Sequence, residues 1–319
     1  MKIKFRVTFL LVLAALALAA TPRAWGWGCE GHQTVALIAK AHLTPHALSM
    51  VEQILQANPI DPSLKRFCPN ATVDPMADSA TWADDYRTVQ PQTAGWHFFD
   101  IPRGASQANI DQFCDPTAGC VTKALTEQIA VLKNPASAPA DQGNALRFVL
   151  HFAGDIHQPL HDTTNNDRGA NCVPVTFFNT KPSANGSSYS PNLHAVWDTN
   201  MIENIAKGQS VTQFAAQLDQ QFQSQEAAWQ AEAINFDSWA WDAHQLAETV
   251  AYGKLNKKIP IEAPVPVNTC ADDNNVGARM LKLKEQVGAT YQAAATPVIE
   301  QQLAKAGVRL AMILNQIWP

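Results

Sequence analysis

The stretch His151-Phe152-Ala153-Gly154-Asp155-Ile156-His157-Gln158-Pro159-Leu160-His161 decides the reading of this chain. It closes an apolar helical run that starts near residue 144. Residues three and four apart share a helix face, so Asn144, Arg147, His151 and Asp155 form one polar stripe among Leu146, Phe148, Val149, Leu150, Phe152 and Ile156. Such a stripe is buried, and an ionised group buried without a partner is strongly unfavourable. A metal ion held by His151 and Asp155 offsets that cost. Pro159 ends the helix, and His161 lies just beyond it, where the chain can turn back to the same cavity.

One His and Asp pair alone is better explained as a core histidine satisfied by a carboxylate. The rest of the chain changes that balance. His194 and Asp198 repeat the spacing, and Trp82-Ala83-Asp84 and Trp96-His97-Phe98-Phe99-Asp100 add another carboxylate and imidazole beside aromatic residues. Imidazole and carboxylate donors without thiolates suit zinc better than magnesium or calcium.

Residues 1–26 read as a secretory signal: Lys2, Lys4 and Arg6, an apolar run over 7–20, then the small-residue cleavage pattern Ala24-Trp25-Gly26. Removing it takes away four cations and no acid, so the formal net charge falls from -5 to -9. An acidic protein lacks the basic footprint that grips duplex nucleic acid, so any polyanion is held locally by metal ions and a few side chains. The expectation is a secreted or periplasmic protein with no membrane anchor after cleavage and no stable protein partner. All six cysteines follow the signal, which points to disulfides. Cys114 and Cys120 bracket a turn-rich loop and are paired; the partners of Cys29, Cys68, Cys172 and Cys270 stay open.

The pattern along the chain is helical over 31–43, 44–56, 76–87, 121–132, the organising stretch, 195–206, 211–233 and 238–255, with a last helix capped at Thr296-Pro297. Residues 96–102 read as extended, 172–179 as half of a small hairpin, 183–190 as a loop and 259–267 as an extended strap. Candidate ligands run from the N-terminal region to residue 198. One fold has to gather them, so residues 27–319 are expected to form a single, mainly α domain.

Trp27-Gly28-Cys29-Glu30-Gly31-His32, Trp82 to Arg87, Trp96 to Asp100, the organising stretch, Asn192 to Asp198, Trp239 to Leu246 and Gly307 to Ala311 occur in an order and spacing that resembles a known family. It is the zinc-dependent, single-strand-specific nucleases of the S-one/P-one type, also called nuclease/3′-nucleotidase. The resemblance spans essentially the whole chain after the signal. It implies a compact multi-helix domain with a small antiparallel β element and a trinuclear zinc cleft of the phospholipase C/nuclease kind.

By that resemblance, one of the three zinc ions takes Asp84, His97, His151 and Asp155, and a second takes His161, His194 and Asp198. The third takes the amine and carbonyl of Trp27 as mature N-terminus, His32, and Asp155 as a bridge. Asp84, Arg87 and Asp155 are the implied catalytic residues, with Arg87 suited to bind phosphate as charge builds. Phe98 is implied to stack a nucleobase and Asp100 to bind its edge. Strand alternation turns Phe98 away from the side of His97, so the stacking role demands a local twist. Phe99 is assigned to the core, and His42, His46, His157 and His244 fall outside the metal set. The implied substrates are single-stranded DNA, RNA and 3′-nucleotides. The competing readings are a zinc phospholipase C, in which the residue at Asp198 is typically Glu, and a secreted protein whose zinc is purely structural.

Overall fold

Apolar spacing just after Trp27-Gly28 produces helix α1 (Cys29–Ala41), which buries Val35, Ala36, Ile38 and Ala39. Thr44 caps α2 (Pro45–Ala57) by accepting from the Ala47 amide, and Pro45 occupies the first turn, where its missing donor costs no helical bond. The single helix expected over 76–87 is instead two, α3 (Pro75–Ser79) and α4 (Trp82–Tyr86). The break frees the Ala80 carbonyl, which accepts from Nδ1 of His151 at 2.7 Å.

The computed structural model describes residues 27–69, 74–185, 188–265, 269–270, 281–282 and 284–319. The signal segment lies outside the described residues, as do Asn70-Ala71-Thr72, which has the Asn-x-Thr pattern of a glycosylation sequon, and Gly186 and Ser187 of a second such pattern, Asn185-Gly186-Ser187. No helix among the described residues is long and apolar enough to cross a membrane.

Helix α5 (Val121–Lys133) packs on α6 (Pro139–Asp155), which carries the organising stretch and starts at Pro139, ahead of the periodic run. Arg147 leaves the expected polar stripe: it donates to the Asn58 carbonyl and lies over the Trp82 ring. Strand content is small. The hairpin expected at 172–179 shrinks to a bridge between Phe177 and Thr180, and β1 (Thr176–Phe177) pairs elsewhere. The stretch read as a loop forms an antiparallel hairpin, β2 (Ser183–Asn185) with β3 (Ser188–Ser190).

Next come the short helices α7 (Leu193–Ala195) and α8 (Met201–Ile205), joined by a π turn, Val196–Asn200. The long α9 (Val211–Gln230) starts at a capping box between Ser210 and Gln213, and α10 (Phe236–Leu246) runs into a second π turn, Ala247–Ala251. Strand β4 (Gln286–Val287) lies parallel to β1 and leads into α11 (Ala289–Ile317). That last helix does not start at Thr296-Pro297. It runs through Pro297, the Thr296 hydroxyl donates to the Gln292 carbonyl, and packing of α11 on α1 and α9 outweighs the lost amide bond.

One continuous apolar core runs through α1, α6, α9 and α11, as expected for a single mainly α domain. Three disulfides tie its edges. Cys114 pairs with Cys120 as the sequence suggests, and Cys29 pairs with Cys68 and Cys172 with Cys270.

Candidate metal centre

Asp155, at the last position of α6, is fully buried and is where the candidate ligands converge. His151, one turn earlier, places Nε2 3.1 Å from Asp155 Oδ2, and Nδ1 of His97 approaches the same oxygen at 3.1 Å. Asp84 on α4 joins them with Oδ1 3.7 Å from His151 and 3.8 Å from His97. The other carboxylate oxygen, Oδ1, lies 3.5 Å from His32 on α1 and 3.3 Å from His161. His161 ends the 3-10 turn Pro159–His161, and its Nδ1 is 2.8 Å from the His97 carbonyl. His194 and Asp198 straddle α7 and the π turn, with Nε2 to Oδ2 at 3.0 Å.

Three buried donor groups result, each with its atoms within 4.8 Å of one another: His32, His151 and Asp155; Asp84, His97 and His151; and His161, His194 and Asp198. Several of these atoms are buried without a hydrogen bond among the described residues, including both nitrogens of His32, Nε2 of His161 and Oδ1 of Asp155. Donors this close, buried and unbonded are arranged for a shared cation rather than for one another. Burial holds His32, His97 and His161 well below the usual imidazole range, which keeps them neutral as metal binding requires. For His151, burial is outweighed by Asp155 and Asp84, and for His194 by Asp198, so both are raised. Burial pushes Asp155 up to about 6.

Trp27 is fully buried, and the Gly28 amide donates to the Asp198 carbonyl at 2.7 Å, so residue 27 lies against the second ligand pair. Arg87 donates to Asp84 Oδ1 at 2.9 Å, and burial lowers its pKa. Around residues 97–101 burial alternates: His97, Phe99 and Ile101 are buried, whereas Phe98 and Asp100 face solvent. Residue 97 ends a 3-10 segment, Pro91–His97, and the extended backbone starts only at Phe98. No twist is needed. Alternation alone turns Phe98 and Asp100 outward together above the buried ligands.

Sequence reasoning missed three supporting residues. Gln158 is fully buried; its carboxamide donates to Asp198 Oδ1 and accepts from the Leu160 amide at 2.6 Å. Gly154 lets His32 approach α6, since a Cβ there would sit 2.8 Å from His32 Nδ1. Gly169, at φ +58, accepts from His194 Nδ1 through its carbonyl at 2.5 Å. His157 and His244 are buried outside the three groups, bonded to Arg309 and Thr163 respectively. His42 forms a fourth, half-buried group with Asp219 and Glu226, led by a 2.7 Å contact to Asp219.

Residues 27–319 match the profile of the S1/P1 Nuclease family. The chain belongs to that family. It is 29% identical to Nuclease S1 of Aspergillus oryzae, with 97% of each chain covered. It is 28% identical to Nuclease P1 of Penicillium citrinum over 91% of this chain and 97% of that one. Endonuclease 2 of Arabidopsis thaliana is 27% identical, over 97% and 96%. Membership makes the protein a hydrolase of phosphodiester bonds and sets aside the phospholipase and purely structural readings.

Proposed function

We propose that this chain is an exported, zinc-dependent endonuclease that cuts single-stranded DNA and RNA to 5′-phosphate products and removes phosphate from 3′-nucleotides. The observation that carries this reading is the convergence of three buried donor groups on Asp155, beneath an open rim bearing Phe98 and Asp100. Asp84, His97, His151 and Asp155 hold one zinc ion, His161, His194 and Asp198 a second, and Trp27, His32 and Asp155 a third. Zinc in such a cluster lowers the pKa of water and offsets the charge of the phosphate.

The protein's own groups do the rest. Arg87, steadied by Asp84, binds the phosphate as charge builds on it. The ring of Phe98 stacks an unpaired base, worth about 1–3 kcal/mol for any base, and Asp100 accepts from the base edge. The acidic surface offers no grip on a duplex, and a stacking platform requires an unpaired base. Cleavage of the signal after Gly26 exposes the Trp27 amine as a zinc ligand, and the approach of both His32 and Trp27 to Gly154, the residue before Asp155, supports this. No interior peptide supplies such an amine.

The test pairs cleavage of a single-stranded and a duplex oligonucleotide with metal analysis of protein starting at Trp27 and at Gly26. The expected result is selective single-strand cleavage, three zinc ions per chain, and loss of one ion when Gly26 is kept. Equal rates on both substrates would overturn the single-strand reading, and equal zinc in both preparations the role of the amine.

A further inference from the structure

Residues 165–170 pass directly over the metal-ligand turn. A Cβ on Gly169 would stand 2.4 Å from the Leu160 carbonyl and 3.3 Å from Nδ1 of His194, so the loop is pressed onto the second ligand group. Its backbone is left-handed at Asn166, Arg168, Gly169 and Ala170, with φ between 57° and 66°. For residues other than glycine that conformation is unfavourable and persists only where the surroundings impose it.

Here they impose it from several directions. Asp167 accepts from the Asn165 amide at 3.1 Å, the Ala170 amide at 3.0 Å and the Tyr252 hydroxyl at 2.8 Å. The carboxamides of Asn165 and Asn166 each make two bonds to the backbone of residues 260–265. Asn165, Asn166, Asp167, Gly169 and Ala170 are all buried by this clamp. Arg168 alone projects to solvent. It has no ion pair among the described residues, and the Arg103 amide, which donates to the Thr164 carbonyl at 2.9 Å, ties the start of this loop to the extended segment that carries Asp100. A strained, fully clamped loop thus presents one guanidinium beside the base-binding rim.

We propose that Arg168 binds a second phosphate of the polynucleotide, next along the strand from the one being cut, and so favours polymeric substrates over mononucleotides. This rests on the nuclease reading above. A guanidinium suits a phosphate diester through paired N–H donors, and a cation on an otherwise acidic protein raises the local concentration of a polyanion.

The experiment compares a single-stranded oligonucleotide with a 3′-mononucleotide, which has no second phosphate. Purified wild type, Arg168→Gln, Arg168→Lys and Arg168→Gly are assayed across a salt series, with thermal stability measured in parallel. In Arg168→Gln the ratio of kcat/KM for oligonucleotide to that for mononucleotide is expected to fall about tenfold, chiefly through KM. The salt slope for the oligonucleotide should flatten by about 0.7, the value for one phosphate contact on a single strand. Lysine restores part of the ratio. Glycine relaxes the left-handed backbone, so Arg168→Gly keeps its thermal stability while its ratio falls with that of Arg168→Gln. An unchanged ratio in an active Arg168→Gln protein overturns the proposal, as does an equal loss on both substrates. Wild type inactive on both substrates overturns the nuclease reading itself.

Discussion

The floor of the cleft and its rim are built by different means. The floor is largely helical and buried: His151 and Asp155 share one face of α6, His194 and Asp198 sit four residues apart across α7 and the π turn, and all four are buried. The rim is irregular and open, with Phe98 and Asp100 on an extended segment and Arg168 on a left-handed loop. Regular backbone sets ligand positions by its period. Irregular backbone aims single side chains, and it needs outside clamps to hold them. Changes to the floor should therefore abolish activity, and changes to the rim should alter which substrate is bound and at what pH.

The largest effect is expected at Asp155. Asp155→Asn removes charge from the carboxylate that His32, His97, His151 and His161 all approach, so turnover should drop by more than about 100-fold, beyond what loss of a supporting residue costs. Metal content should fall with it. Normal zinc content and turnover in that protein would erase the contrast between floor and rim.

Gln158→Ala probes the support beneath the floor. Loss of its bond to Asp198 should weaken the cation at His161, His194 and Asp198 by about 10–100-fold, read by chelator competition. Unaltered retention of that ion would show that burial alone orients Asp198. Phe98→Ala tests the rim and should raise KM on single strands by roughly 5- to 150-fold, the equivalent of one stacked base, with metal content unchanged. A fall in zinc instead would place Phe98 with the floor.

The smallest effect concerns pH. Asp100 opens to solvent but is ringed by the dense cleft wall, and the desolvation from that wall, with the nearby Asp167, raises it to about 6 against the opposing pull of Arg168 and His194. The carboxylate is ionised above that value and protonated below it. As the pH falls through about 6 the base edge loses an acceptor, so KM should rise, whereas Asp100→Asn should show no such inflection. Both profiles are compared over the pH range in which metal content holds constant. The same inflection in Asp100→Asn would assign it to another group.

Much of the floor was readable in the sequence because helical period converts spacing into geometry. His151 with Asp155, and His194 with Asp198, needed nothing more. His161 followed from the helix stop at Pro159, whereas Asp84, His97 and His32 lie on separate elements, and only their place in a family-like pattern assigned them to particular ions before the fold brought them together. Four of the departures share one source. The break between α3 and α4, the start of α11 before Pro297, the parallel pairing of β1 with β4 and the departure of Arg147 toward Asn58 all depend on partners distant in sequence.

The sequence by itself determined the mainly α class, the ligand-bearing faces and the short Cys114–Cys120 bridge, because each follows from local period or short separation. Only the tertiary structure decided that His161 also approaches Asp155, that Gln158 steadies Asp198, and that Arg168 projects to solvent from a buried loop. Those facts rest on how irregular turns and distant segments pack together, which local spacing does not encode.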